Sequence, residues 1–431
     1  MRAELVDPHS PQWNATIDQI GAQLHAGQNP ALFPYHFLQV VLPKLGGHIT
    51  WLLERDERVG VGFLFPRYML RRPGDDSPPP PVPAYTLRYH AILQAGAPTP
   101  ELAQAATAAV AAQLNCPHIT FYDPLGNDHT YSGSTQVIHN VDMGRPYADE
   151  APQIPALHHH IWGSPPEYLY PADIHSDQFA AGTSLVARVD GRLVGFLFGF
   201  FKFGGPDLPT DWETRFRGRL RLESQTMGVH PDYRGMRIGN LLKRLQAEQA
   251  RQAGIAVVNW TADPLQFANA ALNFGLLRAL AFHHYPDFYP FRNALNRVPA
   301  SRFALTWLVE SARVRDIPLT GARTLMLDLT QHPHIQRVND GWWQVDYTAT
   351  NDLIAVEIPA DWTAIQQRNL EEAIRWRSAT DRVFTHYVGT RPGQYVITGV
   401  ATAGDRRYLL GQQVSDGLWK QLGHVDPQPE D

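Results

Sequence analysis

Residues 229–254, VHPDYRGMRIGNLLKRLQAEQARQAG, constrain the fold more than any other stretch, because they join a strand to a glycine-bearing turn and then to an amphipathic helix. Upstream, RLESQTMGV (221–229) has strand character, with Thr226, Met227 and Val229 close together and no proline before Pro231. Downstream, Ile238, Leu241, Leu242 and Leu245 fall at i, i+3, i+4 and i+7, a helical stripe that Gly254 can end. Arg234, Gly235 and Gly239 lie between strand and stripe and open the helix. The free N–H groups of its first turn and the positive end of its dipole then face whatever anion docks there. A small side chain at 239 lets a phosphate approach the backbone closely. This combination is a cradle for a pyrophosphate.

Composition bounds the rest. At 431 residues the chain is expected to hold two or three domains. A hydrophobic fraction of 44% with 18% charged residues is that of an ordinary globular protein, and a formal net charge of -5 gives no basic footprint for nucleic acid. Cys116 is the only cysteine, which excludes an intramolecular disulfide framework and a thiolate cluster and fits a reducing compartment. The longest apolar run, LVGFLFGFF at 193–201, is too short to span a membrane. The opening MRAELVDPHS lacks the apolar core of a signal peptide. A cytoplasmic protein without nucleic-acid or membrane partners is expected, of unknown oligomeric state.

The two halves share short elements in the same order. VGFLF occurs at 61–65 and at 194–198, each time after a charged turn, RDER and RVDGR, that reads as a hairpin. Asp123, Pro124 and Leu125 end the run ITFY, and Asp263, Pro264 and Leu265 end VVNWTA at a similar distance in the second half. Two copies of one α/β unit follow from this. In the first copy the intervening region carries a Pro-rich loop at 77–83 and an alanine-rich helix over 101–114, started at Pro98, Thr99 and Pro100 without glycines. It contains no phosphate cradle. A Pro- and His-rich linker is expected near 146–166; its His158, His159 and His160 are consecutive, point in different directions, and make no metal site. Beyond 315, strand-like pieces and a long helical stretch from 361 to about 385 form a smaller α+β region.

The turn Arg234, Gly235, Met236, Arg237, Ile238, Gly239, preceded by Val229, His230, Pro231 and Tyr233, resembles motif A of the GNAT acyltransferases, Q/R-x-x-G-x-G/A. One position departs: the motif's first glycine is Arg237, which with ordinary helical dihedrals would still present its N–H and add a charge. DPLQFANAALNF followed by PDFYPFRNALNRVPASRFALTWLV resembles a group of predicted GNAT acyltransferases, over about 168–314 and more weakly beyond. The resemblance implies an α/β (α+β) fold class of tandem GNAT-like folds with mixed, largely antiparallel sheets. It divides the chain into a degenerate copy (1–145), an acyl-CoA-binding catalytic domain (146–314) and a C-terminal α+β extension (315–431). Its co-substrate would be acetyl-CoA or another acyl-CoA, with no metal, held by Met227, Gly228, Val229, Arg234, Gly235, Met236, Arg237, Ile238, Gly239 and Asn240.

Acyl transfer from a thioester to an amine needs an uncharged amine, a polarised carbonyl and a proton for the leaving thiolate. Glu223 is the candidate base, by position on the strand entering the cradle; regular alternation puts it on one face with Gln225, Met227 and Val229, and a bulge would change that parity. Backbone N–H groups near 227–229 would polarise the carbonyl. By resemblance Asn273 would bond the CoA arm, with Asn269 as the alternative. The tyrosine that many family members carry on this helix is absent, Phe274 and Gly275 standing in its place. Tyr289 is then the candidate acid, ahead of Tyr285 and of His283 and His284. Arg234, Arg237, Arg292 and Arg302 leave a dicarboxylic donor such as succinyl-CoA open beside acetyl-CoA. The expected function is N-acylation of a small-molecule amine or amino acid. A non-catalytic acyl-CoA sensor, and a protein acyltransferase docking through the first copy, are the alternatives.

Overall fold

The computed structural model describes residues 1–24, 35–68, 83–93, 97–126, 129–131, 135–209, 211–216, 219–289, 297–317 and 324–425. They fall into two compact units, the first of residues 1–205 and 219–255, the second of 206–218 and 256–431. The class is mixed α/β with largely antiparallel sheets, as expected. All but Pro83 of the Pro-rich loop, and Arg292, lie outside the described residues.

The first unit begins with β1 (Arg2–Val6), α1 (Trp13–Leu24), a π-turn Phe37–Val41 running into α2 (Leu42–Lys44), β2 (His48–Glu54), β3 (Glu57–Tyr68), β4 (Pro83–Ala91), α3 (Pro100–Leu114) and β5 (Ile119–Tyr122). These strands form one sheet in sequential order, antiparallel up to β4 and parallel between β4 and β5. Two layers of helix cover it because its alternate residues are apolar on both faces. Ala106 and Val110 of α3 pack on Leu52, Leu64 and Leu87, while Trp13, Ile17 and Ile20 of α1 pack with Ile49, Trp51, Phe63 and Phe65 on the other side. Thr99 caps α3, its hydroxyl accepting from the Leu102 N–H, as the Pro-Thr-Pro start implies.

The same unit continues with β6 (Thr135–Ile138), β7 (Val141–Gly144), α4 (Gln153–Trp162), β8 (Gly182–Val189), β9 (Arg192–Phe203), β10 (Leu220–Val229) and α6 (Ile238–Gln252); the intervening short α5 (Trp212–Arg215) belongs to the second unit. The five strands form an antiparallel array in chain order. The VGFLF pentapeptides occupy corresponding places, each in the second strand of a hairpin. Both hairpins close with two residues in the left-handed region, Arg55 and Asp56 (φ 50° and 65°) and Asp190 and Gly191 (φ 51° and 75°), as the twist of tight hairpins requires.

The stretch read as a linker is instead a packed element. Ile154, Leu157 and Ile161 recur at helical spacing along α4 and dock on Val186, Leu193 and Phe196, and Pro152 stands at its N-cap rather than marking a connector. Glu150, just ahead of the helix, makes a buried pair with Arg188 of β8, with Oε2 2.6 Å from Nη2. The three histidines find separate partners: His158 lies edge-on to Trp162, the Nδ1 of His159 is 2.7 Å from the Ser164 carbonyl, and His160 stacks on His230.

The second unit holds β11 (Val257–Ala262), α7 (Phe267–Ala270) passing into a π-turn Ala271–Leu276, β12 (Leu280–Tyr289), β13 (Ala300–Leu308) and α8 (Ala312–Arg315). After these come β14 (Met326–Asp328), β15 (Gln336–Arg337), β16 (Asn339–Asp340), β17 (Gln344–Val345), β18 (Leu353–Ile358), α9 (Trp362–Arg368), α10 (Leu370–Tyr387), β19 (Tyr395–Ala403), β20 (Arg406–Gln413) and α11 (Asp416–Leu422). Its main strands run β15-β18-β20-β19-β12-β13-β11, so β19 of the C-terminal region extends the sheet begun by β11 to β13. The helical stretch expected as one piece breaks at Asn369, whose extended backbone (φ -146°) frees its side chain to accept from the Glu372 N–H and cap α10. The two Asp-Pro-Leu elements adopt the same turn: Asp123 Oδ1 accepts from the Leu125 N–H, and Asp263 Oδ1 from the Leu265 N–H, each at 2.9 Å.

Candidate functional site

The cradle begins where β10 ends. The His230 N–H donates to the Val194 carbonyl at 2.8 Å, a 3-10 turn follows at Pro231–Tyr233, and the chain then reverses through Gly235 at φ 86°. Arg237 is not in the ordinary helical conformation anticipated for it. It is the N-cap of α6 at φ 62° and ψ 13°, the left-handed region that glycine enters freely and other residues enter at a cost. The backbone geometry of the motif's glycine is therefore kept by an arginine. Helix α6 starts at Ile238.

That start suits an anion. No side chain caps it, so the N–H groups of Ile238, Gly239 and Asn240 point out of the helix beside its positive dipole end. Residues 234–237 are exposed. A Cβ built on Gly239 would meet only the flexible end of Met227, with Cε at 3.4 Å, so protein packing does not demand glycine there, whereas an approaching phosphate favours a small residue. Ile238 is buried against Leu197 and Leu242 and anchors the turn. The Asn240 side chain is committed to the helix, its Oδ1 accepting from Arg244 Nε at 3.2 Å, which leaves its backbone N–H for a ligand. At the far end Gly254 (φ 70°) ends the helix, with the Ile255 N–H donating back to the Ala250 carbonyl.

Strand β10 brings Glu223 and the 227–229 segment to this turn, but not on one face. Its register against β9 slips between Ser224 and Thr226, a bulge at Gln225. Beyond the bulge Met227 and Val229 pack with α6, while Glu223 stands opposite Phe200, on the face where Phe37, Tyr170 and Phe200 meet. Glu223 is 15% exposed; its Oε2 lies 3.5 Å from Lys202 Nζ and accepts no hydrogen bond. On the opposite face Lys243 of α6 donates to Ser224 Oγ at 2.8 Å. Burial, partly offset by Glu223, pushes the Lys243 ammonium down to about 7.

Asn273 and Tyr289 lie in the second unit. Asn273 sits in the π-turn and is buried, whereas Asn269 is exposed. The following Gly275 admits a close neighbour: a Cβ there would lie 2.6 Å from Thr324 and 3.1 Å from the Leu325 carbonyl, so no tyrosine fits. Tyr289, at the end of β12, has its hydroxyl 3.2 Å from Thr261 Oγ1, and the Arg302 guanidinium lies 4.9 Å over its ring. Arg302 is held by Asp263 at 3.5 Å, which it shares with the buried Arg377 at 2.6 Å. Tyr285 is exposed, and His284 lies 3.4 Å from Asp381.

Sequence reasoning missed Lys202, Lys243, Lys44 and Tyr170. Lys243 with Gln246, Ala247 and Ala250 forms a second stripe at i, i+3, i+4 and i+7, buried like the leucine stripe, so α6 is covered nearly all round; that spacing was a readable signal. Nothing in the sequence marks Lys44 or Tyr170, which reach Glu223's face only through packing.

Residues 153–274 match the family model for the acetyltransferase (GNAT) family. Comparison with curated proteins finds no match. Among solved structures the chain is similar to Arabidopsis thaliana Naa50 in complex with the bisubstrate analogue CoA-Ac-MVNAL (16% identity, 39% of this chain and 97% of that one, TM-score 0.29). It is similar also to the ribosomal-protein-S18-alanine N-acetyltransferase from Escherichia coli (12%, 40% and 96%, TM-score 0.29). A third is the IAA acetyltransferase from Bacillus cereus (18%, 38% and 97%, TM-score 0.27).

Proposed function

We propose that this protein is an acyl-CoA-dependent N-acyltransferase, with acetyl-CoA as its default donor and the amine of a small molecule or amino acid as acceptor. The observation that carries the reading is the start of α6: an uncapped, exposed helix N-terminus with Gly239 at its second position, entered through left-handed residues 235 and 237. Those N–H groups would hold the pyrophosphate of CoA, and the charges of Arg234 and Arg237 would complement it. When bound, an acyl-CoA supplies the activated thioester carbonyl.

The chain's own residues supply the rest. Glu223, poorly hydrated and with one oxygen lacking a donor, takes the proton of the acceptor amine, directly or through water. Backbone N–H groups near 227–229 would polarise the carbonyl oxygen. Tyr289, its hydroxyl shared with Thr261, is the candidate proton donor to the thiolate. The tandem division into 1–145, 146–314 and 315–431 belongs to this reading, supported by the order of elements in the two halves and by the matching hairpins and Asp-Pro-Leu turns.

Free thiol release from acetyl-CoA or succinyl-CoA, followed over a panel of amino acids and amines, tests the reading. Acceptor-dependent release that falls about 100-fold in Glu223→Gln is the expected result. CoA binding without release from any acceptor would give the non-catalytic or the protein-acceptor reading instead.

A further inference from the structure

The acceptor's charge is written on Glu223's face of β10, and this inference rests on the acyltransferase reading above. Three pieces of geometry place the π-turn and α2 of the first half there. Phe37 stacks on Phe200 with ring centroids 5.0 Å apart, and Phe200 is the residue directly across from Glu223. Phe37 also meets Tyr170 edge-on at 5.0 Å, and the Tyr170 hydroxyl donates to Gln225 Oε1 at 3.3 Å. Just after α2, Gly46 abuts Phe203, the neighbour of Lys202; a Cβ on it would lie 3.9 Å from the Phe203 Cβ.

A second ammonium group therefore lies near the Lys202–Glu223 pair. Lys202 is 3.5 Å from Glu223, and Lys44, exposed at the end of α2, couples electrostatically to both Lys202 and Glu223. Although Lys44 is exposed by surface area, its ammonium is partly desolvated; this and the like charge of Lys202 hold it below its ordinary range, while Glu223 raises it. His36 at the start of the same segment is depressed by burial and by Lys44.

We propose that the acceptor is an amine carrying an anionic group close to the reacting nitrogen, and that Lys44, from the first half of the chain, and Lys202 recognise that group. A diamine brings a second cation into a patch that already holds two. An amine with a carboxylate or phosphate beside it brings the complementary charge. The same lysines lower the pKa of an approaching ammonium, which favours the uncharged amine that attack requires. The first half thus contributes a specificity determinant as well as a scaffold.

Steady-state thiol release with the full-length protein tests this, using glutamate, its α-amide, phosphoethanolamine and putrescine as acceptors. The expected order places glutamate or phosphoethanolamine above the amide and putrescine last; which of the first two leads distinguishes carboxylate from phosphate. Lys44→Ala, an exposed substitution, is expected to raise KM for the anionic acceptor about three- to tenfold with kcat nearly unchanged. Lys44→Glu is expected to reverse the preference between glutamate and its amide, and added salt to erode the wild-type preference, as for an exposed charge. Turnover that prefers putrescine, or an acceptor order unmoved in both Lys44 variants, overturns the proposal while leaving the acyltransferase reading intact. Absence of turnover with every acceptor overturns both.

Discussion

Arg237 holds a conformation that glycine would hold without strain. Its φ of 62° costs an L-residue about 1 kcal/mol, and the turn keeps that shape because Gly235 on one side and buried Ile238 on the other fix the path into α6. Arg237→Gly is therefore expected to raise unfolding stability by about 1 kcal/mol in thermal or denaturant melts, and to weaken CoA binding only by the loss of one exposed charge. An unchanged or lowered stability would mean that the arginine side chain is itself holding the turn. The motif was legible in the residues Arg234 to Gly239, but the dihedral was not, since an arginine at a glycine position gives no sign of which well it occupies. Glu223 was legible as a candidate base; its face was not, because a single extra residue at 225 reverses alternation and carries no sequence mark.

Between elements, the junction of α6 with β10 is where a charge has been taken out of water. Lys243 is 3% exposed, with its amine on Ser224 and its pKa near 7 against about 10.4 for a free lysine. The unfolded chain thus binds more protons than the folded one between these values, so stability from this site is present at high pH and lost as pH falls towards 7. Lys243→Met removes that dependence. Its stability relative to wild type is expected to be most favourable near pH 7 and to decline as pH is raised to 9.5 in paired denaturant titrations; a difference flat across this range would contradict a neutralised lysine. Helix α6 was legible from its leucine spacing and Gly254, and α3 from its Pro-Thr-Pro start. Helix α4 was not, because prolines and histidines dominate its composition and hide the spacing of Ile154, Leu157 and Ile161 that packs it.

For the whole molecule, the mixed α/β class and the two VGFLF hairpins follow from charged turns and apolar strands that the sequence displays openly. What sequence does not display is tertiary convergence. The lysines around Glu223 come from α2, β9 and α6, and only the fold brings them to one strand. The C-terminal region shows the same limit: its strands read clearly, yet nothing in them told that β19 would pair with β12, or that Arg377 of α10 would meet Asp263 of the second Asp-Pro-Leu turn. No described helix is long and apolar enough to cross a membrane. The account stands on the start of α6 as a site for acyl-CoA. Calorimetric titration of acetyl-CoA into wild type and Gly239→Glu tests it most directly, since the new Cβ touches little of the protein, glutamate is the better helix former, and its charge suits a helix N-terminus but repels a pyrophosphate. Binding by wild type, weakened at least about tenfold in a variant whose melting temperature is equal or higher, is the predicted result. Absence of binding to wild type, or equal affinity in the two proteins, would contradict it.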